Sequence, residues 1–272
     1  MTTAVRKKKK RTKLSYRKIG LVGLILLLII LLGPPALRSL YTIVRYGFSA
    51  TSAEQHTNIV NFGIPLPTGY GIHGIDISHH QKNISWKDVA SIDVKGTKIQ
   101  FAFIKATEGI TRQDLHFSLN WKKSKEAGLI RGAYHFYYPT RDAAKQAENF
   151  INQVKLEAGD LPPVLDIEVS KGKSKAEIVK GCQTWCDAIE KHYGVKPIIY
   201  TNPHFYEKYL IDDFDDYPLW VAHYYQDIPR IEHRDWLFWQ HSDCAVIKGI
   251  DKPVDLNVFN GDIKDLQQMC IE

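Results

Sequence analysis

Two carboxylates stand two residues apart at the end of an apolar run, Pro162-Pro163-Val164-Leu165-Asp166-Ile167-Glu168. A charge cannot be buried unpaired without large cost, so such a run is tolerated where it ends at a polar site. On an extended chain residues i and i+2 share a face, so Asp166 and Glu168 would project together from the end of a strand. Two close carboxylates oppose each other's ionisation, and one of them then keeps a proton near neutral pH. Acid-catalysed cleavage of a glycosidic bond requires a carboxyl group of that kind. Acids that cap loops or bind a cation are the alternative reading of this motif taken alone. Two further segments repeat the theme: Gly74-Ile75-Asp76-Ile77-Ser78-His79-His80-Gln81, and Val254-Asp255-Leu256-Asn257-Val258-Phe259. Each by itself reads as a loop-capping Asp, but three strand ends that deliver acids to one rim point to a site. The paired His79 and His80 raise the question of a metal. Adjacent residues on an extended chain point opposite ways and do not readily serve one ion, and no helical His-x-x-x-His is present. No metal and no cofactor is expected.

The elements that must position these acids are legible from about Gly71 onward. Short β-branched or aromatic runs alternate with amphipathic stretches of helical length, the mark of a parallel sheet with crossover helices. The strands expected are Ile72–Ile77, Gln100–Ala106, Ile130–Tyr137, Val164–Glu168, Pro197–Thr201, Leu219–Ala222, Leu237–Gln240 and Val254–Val258. Between them Ala143, Ala147, Phe150, Ile151 and Val154 fall on one helical stripe, as do Ile178, Cys182, Trp185 and Ile189 before Gly194. The fold class is α/β. Eight strands fit an irregular (β/α) barrel with fewer helices than a standard TIM barrel, because the later connections are short or irregular. Such barrels build their active sites at the C-terminal ends of the strands.

Charge and hydropathy divide the rest. Nine of the 36 Lys and Arg residues fall in positions 1–18, leaving 27 against 30 acids for the remainder. The net charge of +6 therefore belongs to a basic tail, and no nucleic-acid partner is expected. Residues 19–37, from Ile19 to Leu37, carry no charge over about nineteen positions, close to the ~20 that span a bilayer. One transmembrane helix is expected there, a signal-anchor with the basic tail 1–18 on the cytoplasmic side. A cleaved secretory signal is its rival, although no clean small-x-small site follows Leu32. Residues 38–70 read as a stalk, and 71–272 as the catalytic domain. This places the domain extracytoplasmically, periplasmic or at the cell surface, on a single-pass anchor in the cell membrane. Cys182, Cys186, Cys244 and Cys270 contain no Cys-x-x-Cys pair and read as buried apolar thiols.

The segments GIDISHHQ from Gly74, FIKATEG from Phe103, GAYHFY from Gly132, PVLDIE from Pro163, IIYT from Ile198, PLWVAHY from Pro218, FWQHS from Phe238 and VDLNVF from Val254 resemble the lysozymes of glycoside hydrolase family 25. They occur in the family's order and extend over Gly71 to about Asp262. The resemblance implies hydrolysis of the β-1,4 bond between N-acetylmuramic acid and N-acetylglucosamine in peptidoglycan glycan strands. It matches Glu168 to the general acid, Asp166 to its partner carboxylate, and Asp76 and Asp255 to the other acids of the site. Tyr134, Tyr200, Trp220 and Tyr224, at or just beyond strand ends, could stack on sugar faces, with Gln240 beside them; Glu108 more naturally organises the rim. Rival functions are a wall-glycan-binding module without catalysis, and a zinc-dependent polysaccharide deacetylase using Asp76 with His79 or His80.

Overall fold

The computed structural model describes residues 62–231 and 234–272, together with the backbone of β1 (His56–Asn58). The basic tail, the apolar segment 19–37 and most of the stalk lie outside the described residues. Among the described residues no helix is long and apolar enough to cross a membrane.

β1 pairs antiparallel with β2 (Pro65–Pro67). Eight later strands close into a barrel: β3 (Ile72–Ile77), β4 (Ile99–Glu108), β6 (Ile130–Phe136), β7 (Val164–Asp166), β8 (Ile198–Thr201), β9 (Leu219–Ala222), β10 (Phe238–Ala245) and β11 (Val254–Phe259). The two-residue β5 (Arg112–Gln113) folds back on the end of β4 as a hairpin. All eight strands expected from the sequence are present, with shifts at their ends. Neighbours from β3 through β4, β6, β7, β8 and β9 to β10 are parallel. β11 runs antiparallel to both β10 and β3 and closes the barrel between them. A hairpin needs no crossover, so β10 continues past the expected Gln240 to Ala245 and no helix separates it from β11.

The alternation along each strand sorts side chains into two cores. Inside the barrel Phe101, Phe103, Val164, Ile198, Trp220, Phe238 and Phe259 form one buried cluster. Phe103 stacks on Trp220 with ring centroids 4.3 Å apart, and Phe101 meets Phe238 edge-on at 5.3 Å. Gly74 and Gly132 make this possible: a Cβ at either would lie 2.4 Å from the Phe101 ring or 2.5 Å from the Phe103 ring. Outside, Ile75, Ile104, Leu165, Ile199, Val221 and Leu256 face a second cluster that includes side chains of the helices.

The helices are α1 (Trp86–Ala90), α2 (Phe117–Glu126), α3 (Ala143–Gln153), α4 (Lys175–Tyr193), the single turn α5 (Pro203–Phe205), which runs into a π-turn, and α6 (Ile263–Gln268). α4 starts at a capping box between Ser174 and Glu177, ends at Gly194 in the left-handed region, and buries Ile178, Cys182, Trp185, Cys186 and Ile189. On α3, Ala147 and Phe150 of the expected stripe are fully buried, while Ala143 and Ile151 sit at its edge. All four cysteines are free thiols, Cys182 and Cys186 buried, Cys244 and Cys270 only partly so.

The packed unit begins upstream of Gly71. Phe62, Ile64 and Leu66 are 1–5 % exposed and belong to the outer core, and Val246 N–H donates to the Phe62 carbonyl at 2.9 Å. Residues expected to be stalk therefore finish the core beside the end of β10. Burying each large apolar side chain contributes roughly 1.5–3 kcal/mol. A protein truncated to begin at Tyr70 should melt lower than one beginning at Glu54 by roughly 10 °C or more for a domain of this size. Thermal unfolding followed by circular dichroism checks this, and equal midpoints would remove the segment from the core.

Candidate active site

The strand register lines up the acids. β7 ends at Asp166, whose Cα partners are Phe136 on one side and Tyr200 on the other. Glu168 lies two residues past Asp166, and the chain between them stays tied to the barrel through Ile167 N–H to the Tyr200 carbonyl at 2.9 Å. Asp76, at the C-terminal end of β3, is the direct Cα partner of Asp255. Asp255 stands at the beginning of β11, in contrast to the strand end expected for it. Because β11 is antiparallel, its N-terminal end comes to the rim where the parallel strands finish.

All nine residues nominated from the sequence, Asp76, Tyr134, Asp166, Glu168, Tyr200, Trp220, Tyr224, Gln240 and Asp255, line one open cleft of about 260 Å³ at this rim. Ser78, His80, Lys105 and Phe136 complete it. Two larger grooves, about 710 and 640 Å³, lie on helix flanks around Lys175–Asp187 and Ser85–Lys123 and hold no comparable set of buried acids.

A hydrogen-bond relay fixes the cleft. Tyr200 and Tyr224 hydroxyls both donate to Gln240 Oε1, at 2.8 and 2.6 Å. With its oxygen taken, Gln240 turns its amide nitrogen to Asp76 Oδ1 at 2.8 Å. Trp220 Nε1 likewise donates to Asn257 Oδ1 at 2.8 Å, and Asn257 Nδ2 donates to the same Asp76 oxygen at 2.7 Å. Trp220 is 1 % exposed and Gln240 2 %, so they form the floor and the relay. The expectation that Trp220 offers a sugar-stacking face is corrected by this burial. Tyr134 and Tyr224 are half-buried and keep surface toward the cleft.

Burial raises every acid of the set. Asp76 is pushed up to about 6 by burial, against the lowering effect of the Asn257 and Gln240 amides, with the nearby Glu168 adding to the rise. Asp166 rises well above the carboxylate range through burial and the charge of Glu168, opposed by Lys105; its Oδ1 is buried with no protein partner. Glu168, only half-buried, is raised by burial and held back by Lys105. Asp255 is pushed up to about 9 by burial and by the charges of Asp76 and Asp243. Glu108 behaves oppositely: burial disfavours its charge, but Lys105, Tyr138 and Arg112 outweigh that and hold it low. It accepts from Lys105 at 2.8 Å, Arg112 at 3.0 Å and Tyr138 at 3.0 Å, a rim organiser as expected.

His79 and His80 open a short 3-10 turn after Ser78, and His79 binds Asp114 through its backbone N–H at 2.8 Å and Nδ1 at 2.9 Å. Among the described residues no three His, Cys, Asp or Glu side chains gather as a ligand set. Sequence reasoning missed Asn257 and Lys105. Both carried a signal, since Asn257 lies two residues from Asp255 and Lys105 two residues from the inward Phe103, hence on the same faces.

The raised carboxyl of Asp255 has a definite consequence for stability. In the unfolded chain it ionises near its ordinary 3.8, in the fold near 9. The favourable contribution is complete below the lower value and is lost as pH rises through the upper one. Asp255→Asn removes the group, so its melting midpoint should exceed the parent's by a margin that widens between pH 4 and pH 9. A margin independent of pH would overturn the assignment.

Comparison with known proteins agrees with this geometry. The model of "Glycosyl hydrolases family 25" matches residues 75–250, a span that holds Asp76, Asp166, Glu168 and Gln240, with Asp255 just beyond it. The chain is 47 % identical over 209 residues to the Escherichia coli protein YegX of strain CFT073, covering 77 % of each. It is 33 % identical over 207 residues to Lysozyme M1 of Streptomyces globisporus, covering 70 % of this chain and 68 % of that one. Its fold superimposes on the crystal structure of a bacterial lysozyme from Streptomyces coelicolor with a TM-score of 0.68 and 31 % identity, over 74 % of this chain and 97 % of the other. With a closed eight-stranded barrel, a rim of buried acids and a family match over most of the domain, the chain belongs to glycosyl hydrolase family 25.

Proposed function

We infer that the protein is a lysozyme, a muramidase that hydrolyses the β-1,4 bond between N-acetylmuramic acid and N-acetylglucosamine in peptidoglycan. The observation that carries this reading is the meeting of Asp76, Asp166, Glu168 and Asp255 in one cleft at the barrel rim. A wall-binding module without catalysis has no need of four acids that are costly to bury. The deacetylase reading needs Asp76 gathered with His79 or His80 around one ion, and among the described residues no three His, Cys, Asp or Glu side chains gather as a ligand set.

The roles follow from the environment of each group. Glu168 is the carboxyl of the pair that opens to the cleft, and its raised pKa keeps a proton available for the leaving glycosidic oxygen. As the bond breaks, positive charge develops at the anomeric carbon. The buried Asp166 Oδ1, without a protein partner, is the acceptor left to orient the attacking group. That group is either the sugar's own 2-acetamido oxygen, positioned through its N–H, or a water molecule; both routes use the same Asp166 oxygen, which a neutral carboxyl also offers as an acceptor. Asp76, pinned by two amide donors, supplies fixed negative charge beneath the reacting sugar. Tyr134 and Tyr224 border the sugar's path.

We further propose that residues 19–37 anchor the protein in the membrane, with the domain extracytoplasmic and acting on nearby wall. The support is the nine-base cluster ahead of an uncharged stretch of spanning length. N-terminal sequencing of the mature protein should find residues 19–37 retained; a start near Leu37 or later would mean a cleaved signal.

Glu168→Gln keeps size but has no proton to give. It should fold, bind glycan and lose roughly 100- to 10,000-fold in rate on peptidoglycan. Asp166→Asn should be severely impaired as well, and Glu108→Gln less than either. Release of reducing ends measures all three. Near-parental activity in a folded Glu168→Gln protein would move the acid's role elsewhere in the cleft.

A further inference from the structure

Beside the catalytic cleft lies a second groove of about 280 Å³, lined by His79, Lys105, Glu108, Arg112, Asp114 and Leu115 among others. Lys105 lines both spaces, so groove and cleft adjoin along one side chain. The groove's outer wall is the β4–β5 hairpin, which turns at Gly109 in the left-handed region and sets Arg112 opposite Glu108.

The chemistry of the walls is one-sided. Its two acids are already spent: Glu108 accepts from Lys105, Arg112 and Tyr138, and Asp114 accepts from the backbone N–H groups of His79 and His116 and from His79 Nδ1. Both carboxylates are nearly inaccessible, at 12 % and 2 % side-chain exposure. Arg112 is the opposite, 70 % exposed, with Nη1 alone bonded to Glu108. The rest of its guanidinium fork is available for a planar anion. Next to it Leu115 is 90 % exposed. Ile110 and Leu119 are exposed too, so three of the six exposed large apolar side chains among the described residues fall within residues 110–119. What a ligand meets is a guanidinium and an apolar shelf above neutralised acids.

We propose that this groove binds the acidic peptide stem carried by the muramic-acid lactyl group of the substrate, with Arg112 taking a stem carboxylate and Leu115 its alkyl portions. The inference rests on the muramidase reading and extends it to specificity. A glycan strand seated over Glu168 carries its stems beside the scissile bond, and those stems are where an otherwise uncharged sugar polymer concentrates carboxylate and aliphatic groups. Lys105 joins the two subsites, so stem binding and glycan placement are adjacent events.

The test compares two substrates with the full-length protein: peptidoglycan bearing its stems, and the same glycan strands stripped of them by an amidase, with the lactyl carboxylates so exposed capped as methylamides. Arg112→Gln with Leu115→Ser should lower kcat/KM on stem-bearing material by roughly five- to tenfold, the effect of an exposed charge-assisted contact. Cleavage of the stripped strands should be unchanged in the variant, and the parent should cleave them more slowly than the natural substrate. An equal loss on both substrates, or none on either, overturns the stem site and leaves the muramidase reading intact. A parent protein that cleaves neither overturns both.

Discussion

Asp76 is a buried carboxylate held by two amide donors, and much of the barrel rim is built around keeping it satisfied. Side-chain amides are ambiguous partners, since either end can face an acid. Here each is oriented from behind: the Tyr200 and Tyr224 hydroxyls claim the Gln240 oxygen, and the Trp220 indole claims the Asn257 oxygen. Only the nitrogens remain to meet Asp76. Residues from β3, β8, β9, β10, β11 and the loop after β9 thus interlock, so the position of one charge depends on closure of the whole barrel. A relay of neutral donors stabilises the anion without adding a competing positive charge next to the acids that need their protons.

The same closure sets the other carboxylates against each other. Burial favours the neutral form of Asp166, Glu168 and Asp255, while Lys105 tempers the first two. Lys105 is itself bound to Glu108, which draws on Tyr138 and Arg112, so a chain of polar contacts leads from the reacting pair to the adjoining groove. The cost of gathering buried acids is borne by the scaffold, with aromatic packing inside the barrel and helices outside it. That is the usual relation between a costly site and its support.

The two cores divide this labour. The inner one is aromatic and tight enough that Gly74 and Gly132 must lack a Cβ, which gives the floor under the cleft little room to yield. The outer one is larger and more varied, and it recruits Phe62, Ile64 and Leu66 from ahead of the barrel. The linker to any N-terminal anchor therefore starts upstream of those residues.

The sequence determined a good deal by itself. Short β-branched or aromatic runs marked all eight strands, and the i, i+2 spacing of Asp166 and Glu168 fixed a shared face, because both are local properties of the chain. The ordered motifs named the family, and the nine nominated residues do meet in one cleft. The antiparallel course of β11 was decided only by the tertiary structure, because strand direction depends on which neighbours close the sheet; that course brings the start of a strand, Asp255, to the rim. Trp220 was read as a sugar platform because an aromatic at a strand end looks available, until the barrel interior took both its face and its N–H. Asn257 and Lys105 had the right parity but became meaningful only with distant partners in view: Asn257 bonds Asp76 across 181 residues, and Lys105 acts on Asp166 and Glu168 at the end of another strand, neither of which has a local signature. Local chemistry is written in the order of residues, whereas burial, and with it every pKa in the cleft, exists only once distant strands exclude water together.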